Sequence, residues 1–386
     1  MKRTEIWKIN GRDYKEMTRE LLEACDLASL LPSDREALIG IKPNLVSSQP
    51  ASNGGTTHPE VVAGLLEYLQ KYGFSNLQIM EGSWLGDQTA TAFQVCGYRE
   101  LEKTYGVTLT DAQKEPFQEL DCKGLKLKVC DCARKPAFLI NVPVLKGHCQ
   151  THITCALKNL KGLIPNSEKR HFHSMGLHKP IAHLQTAIHQ DFILVDHICG
   201  DLTFEDGGNP VTTNTLFAAR DPVLMDSYVC RLLNYQPSDV DYILLAEQLG
   251  IGSTALEKAE LCHVNRSVTA SAHAAPRVVR SPLTDHCTPI ETEHRIVALQ
   301  DAVTEVESCS ACYEYLISAL NQLEKEGLLS SIGEKIRIGQ GCRGESGILG
   351  VGQCTAGFQY SIKGCPPTEM QIYEGLKEWI RQRAGH

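Results

Sequence analysis

Five cysteines stand within 57 residues in the last part of the chain, at Cys309, Cys312, Cys342, Cys354 and Cys365. Two residues separate Cys309 from Cys312; intervals of 29, 11 and 10 residues then lead to Cys342, Cys354 and Cys365. The first pair lets one short turn offer two thiolates to one metal centre. The segments "IGQGCRG" and "GVGQCTAG" set the next two among glycines, where backbone N–H groups can approach cluster sulfides and tune their potential. In "SIKGCPPTEM", Gly364, Pro366 and Pro367 frame Cys365 ahead of a helix-like run, and a helix N-terminus favours the thiolate. From spacing alone three fates are open to these thiols: an iron–sulfur cluster, structural zinc, or disulfides and unliganded thiols. No histidine lies among them at zinc-finger spacing.

A second group of chemically capable residues lies upstream, where apolar runs end in polar side chains: Lys42 and Asn44, Glu81 and Ser83, Lys146 and His148, Asp196 and His197. In an open α/β sheet the carboxyl ends of the strands form the ligand crevice. Thr57, in "GGTTHP", precedes a helix starting near His58 or Pro59, whose N-terminus suits an anion. The densest stretch, "LKGHCQTHITCALKNLKGLIPNSEKRHFHSMGLHKP", holds many cations and histidines. Lys146, His148, His152, Lys158 and His173 are the candidates for acid–base work. Lys42, Asn44, Thr57, Glu81, Ser83 and Asn159 are the candidates for holding a small anionic ligand. Asp201, Glu205 and Asp206, beside the Gly207–Gly208 turn, offer carboxylates for a second, divalent metal.

These residues need a scaffold, and the hydrophobic pattern supplies one. "ALIGIKPNLV", "NLQIMEGS", "AFLINVPVLK", "DFILVDHICG" and "NTLFAARD" read as strands, while "HPEVVAGLLEYLQKYG", "IAHLQTAIHQ" and "PVLMDSYVCRLLNY" read as helices. This alternation predicts an α/β fold with a largely parallel sheet covered by helices. Residues 266–294, rich in Ser, Thr, Ala and Pro, read as a linker between an α/β domain over 1–265 and a small cysteine-rich α+β module over 295–386. In that module "CYEYLISALNQLEKEG" is a helix stopped at Gly327.

A net charge of −8 gives no support to nucleic-acid binding, and no run of 18 apolar residues predicts a membrane span. The remaining cysteines, including Cys25, Cys96, Cys149, Cys155, Cys199, Cys230 and Cys262, are scattered through apolar segments and read as buried free thiols. A reducing, cytoplasmic setting is the expectation.

"GQC" followed by "GCPPTEMQIYEGL" resembles the glycine-cysteine-proline-proline segment of the cluster-bearing small subunits of respiratory complex I and nickel–iron hydrogenases, over about 25 residues. The resemblance implies that Cys365 ligates a [4Fe–4S] cluster. With Cys309 and Cys312 paired by spacing, it makes Cys309, Cys312, Cys354 and Cys365 the four ligands and leaves Cys342 outside. The larger part of the chain resembles the domain of unknown function 362 family through "IKPNLV", "TTHPEVVAGLLEYL", "IMEGS", "LINVPVLKGH", "LKNLKGLIP", "KRHFHSMGL", "DFILVDHICGDLTFEDGGNP" and "ARDPVLMD", in that order. Many members of that family are labelled iron–sulfur proteins. The favoured reading is a redox enzyme using one [4Fe–4S] cluster beside a pocket for a small anionic ligand, with a redox protein as a partner. Two alternatives stand: an electron-transfer or cluster-delivery protein, and a hydrolase or transferase with a purely structural metal.

Overall fold

The computed structural model describes residues 1–205, 207–265, 277–290 and 299–384. Two compact units emerge: Met1–Lys169 with Leu177–Glu291, and Arg170–Gly176 with Thr292–His386.

The larger unit is an α/β body. Its strands are β1 (Glu5–Asn10), β2 (Ile39–Pro43), β3 (Leu77–Glu81), β4 (Thr108–Asp111), β5 (Phe117–Asp121), β6 (Lys126–Cys130), β7 (Phe138–Val142), β8 (Lys146–His148), β9 (His152–Thr154), β10 (Phe192–Asp201), β11 (Pro210–Ala219), β12 (Glu260–Asn265) and β13 (Arg277–Pro282). Nine of them form one sheet in the order β13-β12-β1-β11-β10-β7-β2-β3-β4, while β5-β6 and β8-β9 are separate hairpins. The run from β10 to β4 is parallel, as the alternating pattern predicts. β11 runs antiparallel to both β10 and β1, so the sheet is mixed at that side.

The helices of this unit are α1 (Tyr14–Ala24), α2 (Pro59–Lys71), α3 (Thr89–Val95), α4 (Tyr98–Tyr105), α5 (Ala156–Asn159), α6 (Asn166–Ser174, which runs on into the second unit's segment), α7 (His178–Leu184), α8 (Pro222–Leu232) and α9 (Asp241–Gln248). Their boundaries follow local chemistry. Asp221 accepts the N–H groups of Val223 and Leu224 at the start of α8, and α2 and α8 both open on proline, whose missing donor costs nothing there. Leu21, Leu22, Val61, Leu65 and Leu69 of α1 and α2 pack with Ile39, Ile41, Ile79, Ile140 and Leu194 of the sheet in one apolar core. Residues 277–282, expected within the linker, instead pair with β12 as an edge strand. Their mostly exposed pattern carries little of the apolar alternation that reveals a buried strand. Residues 266–276 and 291–294 of that linker lie outside the described residues.

The smaller unit carries a four-stranded parallel sheet of β14 (Val303–Glu305), β15 (Ile336–Ile338), β16 (Leu349–Val351) and β17 (Tyr360–Ile362), in sequential order. Helix α10 (Ser310–Lys325) joins β14 to β15, and α11 (Glu369–Ala384) follows β17. The two helices pack against each other. The helix expected from "CYEYLISALNQLEKEG" is α10, and Gly327, at φ +71°, follows its last turn.

Candidate functional site

The repeated strand–turn pattern of the smaller unit positions the cysteines. β15 is followed by Gly339 and the turn Gln340–Cys342, and β16 by Gly352 and the turn Gln353–Thr355, which holds Cys354. Cys365 follows β17 by three residues, and Cys309 follows β14 and caps α10, with Cys312 in the first turn of that helix. Parallel strands end on the same side of a sheet, so all five cysteines gather at one edge. Burial pushes the Cys312 thiol up to about 12, and the neighbouring Cys309, Cys365 and Cys354 add to the effect. Cys342 is absent from that set; burial raises its thiol, Arg337 acts against the shift, and Glu345 and Cys354 add to it. Gln340 Nε2 donates to Cys309 Sγ at 3.6 Å, and the Arg343 guanidinium engages Cys354. Among the described residues no three His, Cys, Asp or Glu side chains stand as the ligands of a single metal ion.

In the larger unit most of the polar residues singled out from sequence converge in a buried network. Lys42 Nζ lies 2.9 Å from Glu81 Oε2, 2.7 Å from the Pro43 carbonyl and 3.4 Å from Asn159 Oδ1. Asn44 donates to Asn159 Oδ1 at 2.8 Å and accepts from Lys146 Nζ at 2.8 Å. Lys146 also donates to the carbonyls of Gly55 and Glu205, each at 2.6 Å. Lys158 pairs with Glu205 Oε1, and His148 Nε2 faces Glu205 Oε2 at 3.0 Å, though outside hydrogen-bonding alignment. Asp226 of α8 accepts the Ala156 and Leu157 N–H groups at 2.7 and 3.1 Å, which fixes the short helix carrying Lys158 and Asn159.

Two glycines permit the close approaches. A Cβ on Gly162 would stand 2.1 Å from Glu81 Oε1, and one on Gly147 would stand 2.3 Å from the Leu202 carbonyl, in the segment leading to Glu205.

Protonation follows from this packing. Burial and the Lys158 ammonium push His148 down to about 4, and its Nδ1 accepts the N–H groups of Gln150 and Thr151. The neutral ring therefore carries its proton on Nε2, toward Glu205. Burial opposes ionisation of Glu205, but Lys158, His148 and Lys146 outweigh it and hold the carboxyl well below its ordinary value. Burial lowers Lys42, against the pull of Glu81.

Other expected residues serve the scaffold. Thr57 Oγ1 bridges the Asn44 N–H and the Val142 carbonyl, and Ser83 Oγ donates to the Leu45 carbonyl. The N–H groups of Gly54 and Thr57 are engaged by Ala51 and Asn44, and the anion at the start of α2 is the protein's own Asp196, which accepts the His58 N–H. His152 stacks on Tyr235 with centroids 4.6 Å apart. His173 belongs to the segment 170–176 of the second unit, and His197 stacks on Phe217. Asp201 accepts N–H groups from Thr203, Phe204 and Asn209, so both its oxygens hold the turn; Asp206 lies outside the described residues. Sequence reasoning missed Asn141, which joins the network through Asn159, and Lys169, whose Nζ donates to the Gly82 and Ser83 carbonyls. Asn141 had a signal: a lone amide inside the apolar strand "FLINV".

Mixed α/β architecture, a Lys–Asn–Glu network at the strand ends and the matching segments converge on one assignment. Residues 39–231, half of the chain, match the family described as "Domain of unknown function (DUF362)", and the chain belongs to that family. A thylakoid-associated protein, sll1697, of Synechocystis sp. is 25% identical over 241 residues, which covers 58% of this chain and 71% of that protein. Among solved structures, the lactate racemase apoprotein of Thermoanaerobacterium thermosaccharolyticum has a TM-score of 0.36 at 16% identity, covering 55% of this chain and 53% of its own. A Thermotoga maritima protein has a TM-score of 0.31 at 13% identity, covering 77% of this chain and 62% of its own. No helix among the described residues is long and apolar enough to cross a membrane.

Proposed function

We propose that the protein is an iron–sulfur redox enzyme in which Cys309, Cys312, Cys354 and Cys365 hold one [4Fe–4S] cluster, and in which the buried network of the larger unit receives a small anionic ligand. The observation that carries the first part is the gathering of the cysteines at one edge of the parallel β14–β17 sheet, where Cys309, Cys354 and Cys365 all act on the Cys312 thiol. A cubane takes one thiolate per iron, so its ligands stand further apart than the donors of one tetrahedral ion. Thiols carried on the separate segments that follow β14, β16 and β17 suit that requirement. When bound, the cluster supplies one-electron transfer, which would serve a redox protein as partner. Gln340 donates toward Cys309, the kind of bond to sulfur that tunes a cluster's potential.

The second part rests on Glu205. Its carboxylate is an internal anion seated on Lys158 and beside His148, and it marks where a carboxylate or phosphate would bind once Glu205 withdraws. His148 Nε2–H would then donate to the ligand. A carrier alone would have no use for such a site.

The test of the cluster is the anaerobically purified protein: a broad absorption shoulder near 400 nm with about four irons and four sulfides per chain supports it. Stoichiometric zinc without iron refutes it. For the ligand site, Glu205→Ala should bind phosphate or oxalate about tenfold more tightly than wild type by calorimetry, while equal or absent binding in both refutes it.

A further inference from the structure

His58 holds the N-cap position of α2, and its ring lies between two side chains of β10. Its Nδ1 stands 2.8 Å from Asp196 Oδ2, and its Nε2 stands 3.5 Å from Cys199 Sγ. The Asp196 carboxylate is fixed in turn: Oδ2 accepts the His58 N–H at 2.8 Å and Oδ1 accepts the Ile198 N–H at 3.0 Å. Residues three apart on a regular strand point to opposite faces. Here the β10–β11 register shifts between His197 and Cys199, and the irregularity lets both Asp196 and Cys199 reach one imidazole.

Two of the three side chains also have access, while Asp196 is buried behind the imidazole. His58 and Cys199 line a cavity of about 550 Å³, bounded by Tyr14, Pro59, Val95 and Ile198. Residue Cys199 retains 8% of its exposure and the His58 side chain 12%. Cys25 and Cys130 differ: both are fully enclosed and lie against backbone carbonyls. Cys199 touches a carbonyl too, that of Ala51 at 3.4 Å, but also faces a nitrogen whose ring is oriented by a carboxylate. Nucleophile, base and orienting group are thus in hydrogen-bond order.

We propose that Cys199, His58 and Asp196 form a nucleophilic thiol site that accepts an acyl group from a small, uncharged ester or thioester. This inference is independent of the cluster and of the Glu205 site. The Cys199 sulfur attacks the acyl carbon; a C–S bond forms, the bond to the leaving alcohol or thiol breaks, and the leaving group takes the proton from His58 Nε2. Water then attacks the thioester, gives a proton to His58, and releases the carboxylic acid as the C–S bond breaks. Apolar walls suit a short acyl chain, and Glu60, at the rim, disfavours anionic substrates. Burial works against the His58 imidazolium, but Asp196 and Cys199 outweigh it and raise the group to about 10. The groups facing this imidazole are Asp196 and Cys199 from β10 and Tyr14 from α1, with Glu60 from its own helix and Cys96 on the cavity wall.

The probe is p-nitrophenyl acetate with the full-length protein, read by p-nitrophenolate release and by peptide-resolved mass spectrometry. Wild type should release about one equivalent in a rapid phase and carry acetyl on the Cys199 peptide. Cys199→Ser should abolish that phase, and His58→Gln should slow it on the order of 100-fold. A second measurement needs no variant: iodoacetamide should label Cys199 in wild type faster than the enclosed Cys25 and Cys130. Acetylation confined to other cysteines, or labelling of Cys199 no faster than of those two, would overturn the proposal.

Discussion

Replacing Lys42 by Met separates a buried ion pair whose surroundings set the cost. The side chains of Lys42 and Glu81 retain only 1% and 3% of their exposure. Removing one member of such a pair typically costs about 3–5 kcal/mol, because the other charge is left uncompensated. In Lys42→Met the Glu81 carboxylate keeps the Leu45 and Gly82 N–H groups, both at 2.7 Å, so the loss should fall at the low end, about 3 kcal/mol. Glu81→Gln is worse placed. Its amide cannot accept from both N–H groups without turning a donor toward one of them, and Lys42 loses its counter-charge, so about 4–5 kcal/mol is expected. The double variant should lose at least about 1 kcal/mol less than the sum of the singles, since the unpaired charge is gone. Urea unfolding followed by circular dichroism measures all three. Single-variant losses below about 0.5 kcal/mol, the range of ordinary surface changes, would refute the reasoning. Iron content should not change in any of them.

Lys169 is pushed from 10.5 down to about 8 by burial; stability from this group is present above pH 10.5 and lost as the pH falls through about 8, so wild type should gain stability on alkalinisation across that window, by roughly 3 kcal/mol. Lys169→Met should lack that slope, as pH-dependent urea midpoints would reveal. Gly339, at φ +120°, would bring a Cβ within 1.9 Å of the Val306 carbonyl, so Gly339→Ala should destabilise the cysteine module and lower its iron content while the larger unit keeps its unfolding midpoint. Pro366→Ala should retain the thiol of Cys365 but make iron more labile in air, measured as the half-life of the absorption near 400 nm.

Much of the body was legible because buried strands and helices carry their own periodicity. "IKP", "IME", "FLINV" and "DFILVDHICG" became β2, β3, β7 and β10, and α2 begins at Pro59 beside His58. What escaped lacked either apolar content or local contacts. β13 is exposed along most of its length, so it does not stand out from a loop. β11 looked like another parallel strand because hydrophobicity reports burial and says nothing about direction. The polar strand ends were visible, but their mutual pairing was not: a lysine reads alike whether it awaits a ligand or already holds Glu205. Cys199 was read from its apolar neighbours as a buried thiol, and buried it is; its imidazole partner is 141 residues away in sequence, beyond any local pattern. The cysteine module had a clearer signal, since "IRIGQGC" and "LGVGQC" repeat strand, glycine, glutamine and cysteine in order, and the structure gives each a strand and a turn.

The central claim is that four particular thiols hold iron, and the most direct measurement is iron and acid-labile sulfide per chain in anaerobically purified Cys→Ala variants of all five positions. Wild type and Cys342→Ala should each contain about four irons and four sulfides, while Cys309→Ala, Cys312→Ala, Cys354→Ala and Cys365→Ala should each lose the full cluster. Loss of iron in Cys342→Ala with retention in Cys354→Ala would contradict the assignment of ligands, and zinc in place of iron in the wild-type protein would contradict the cluster itself.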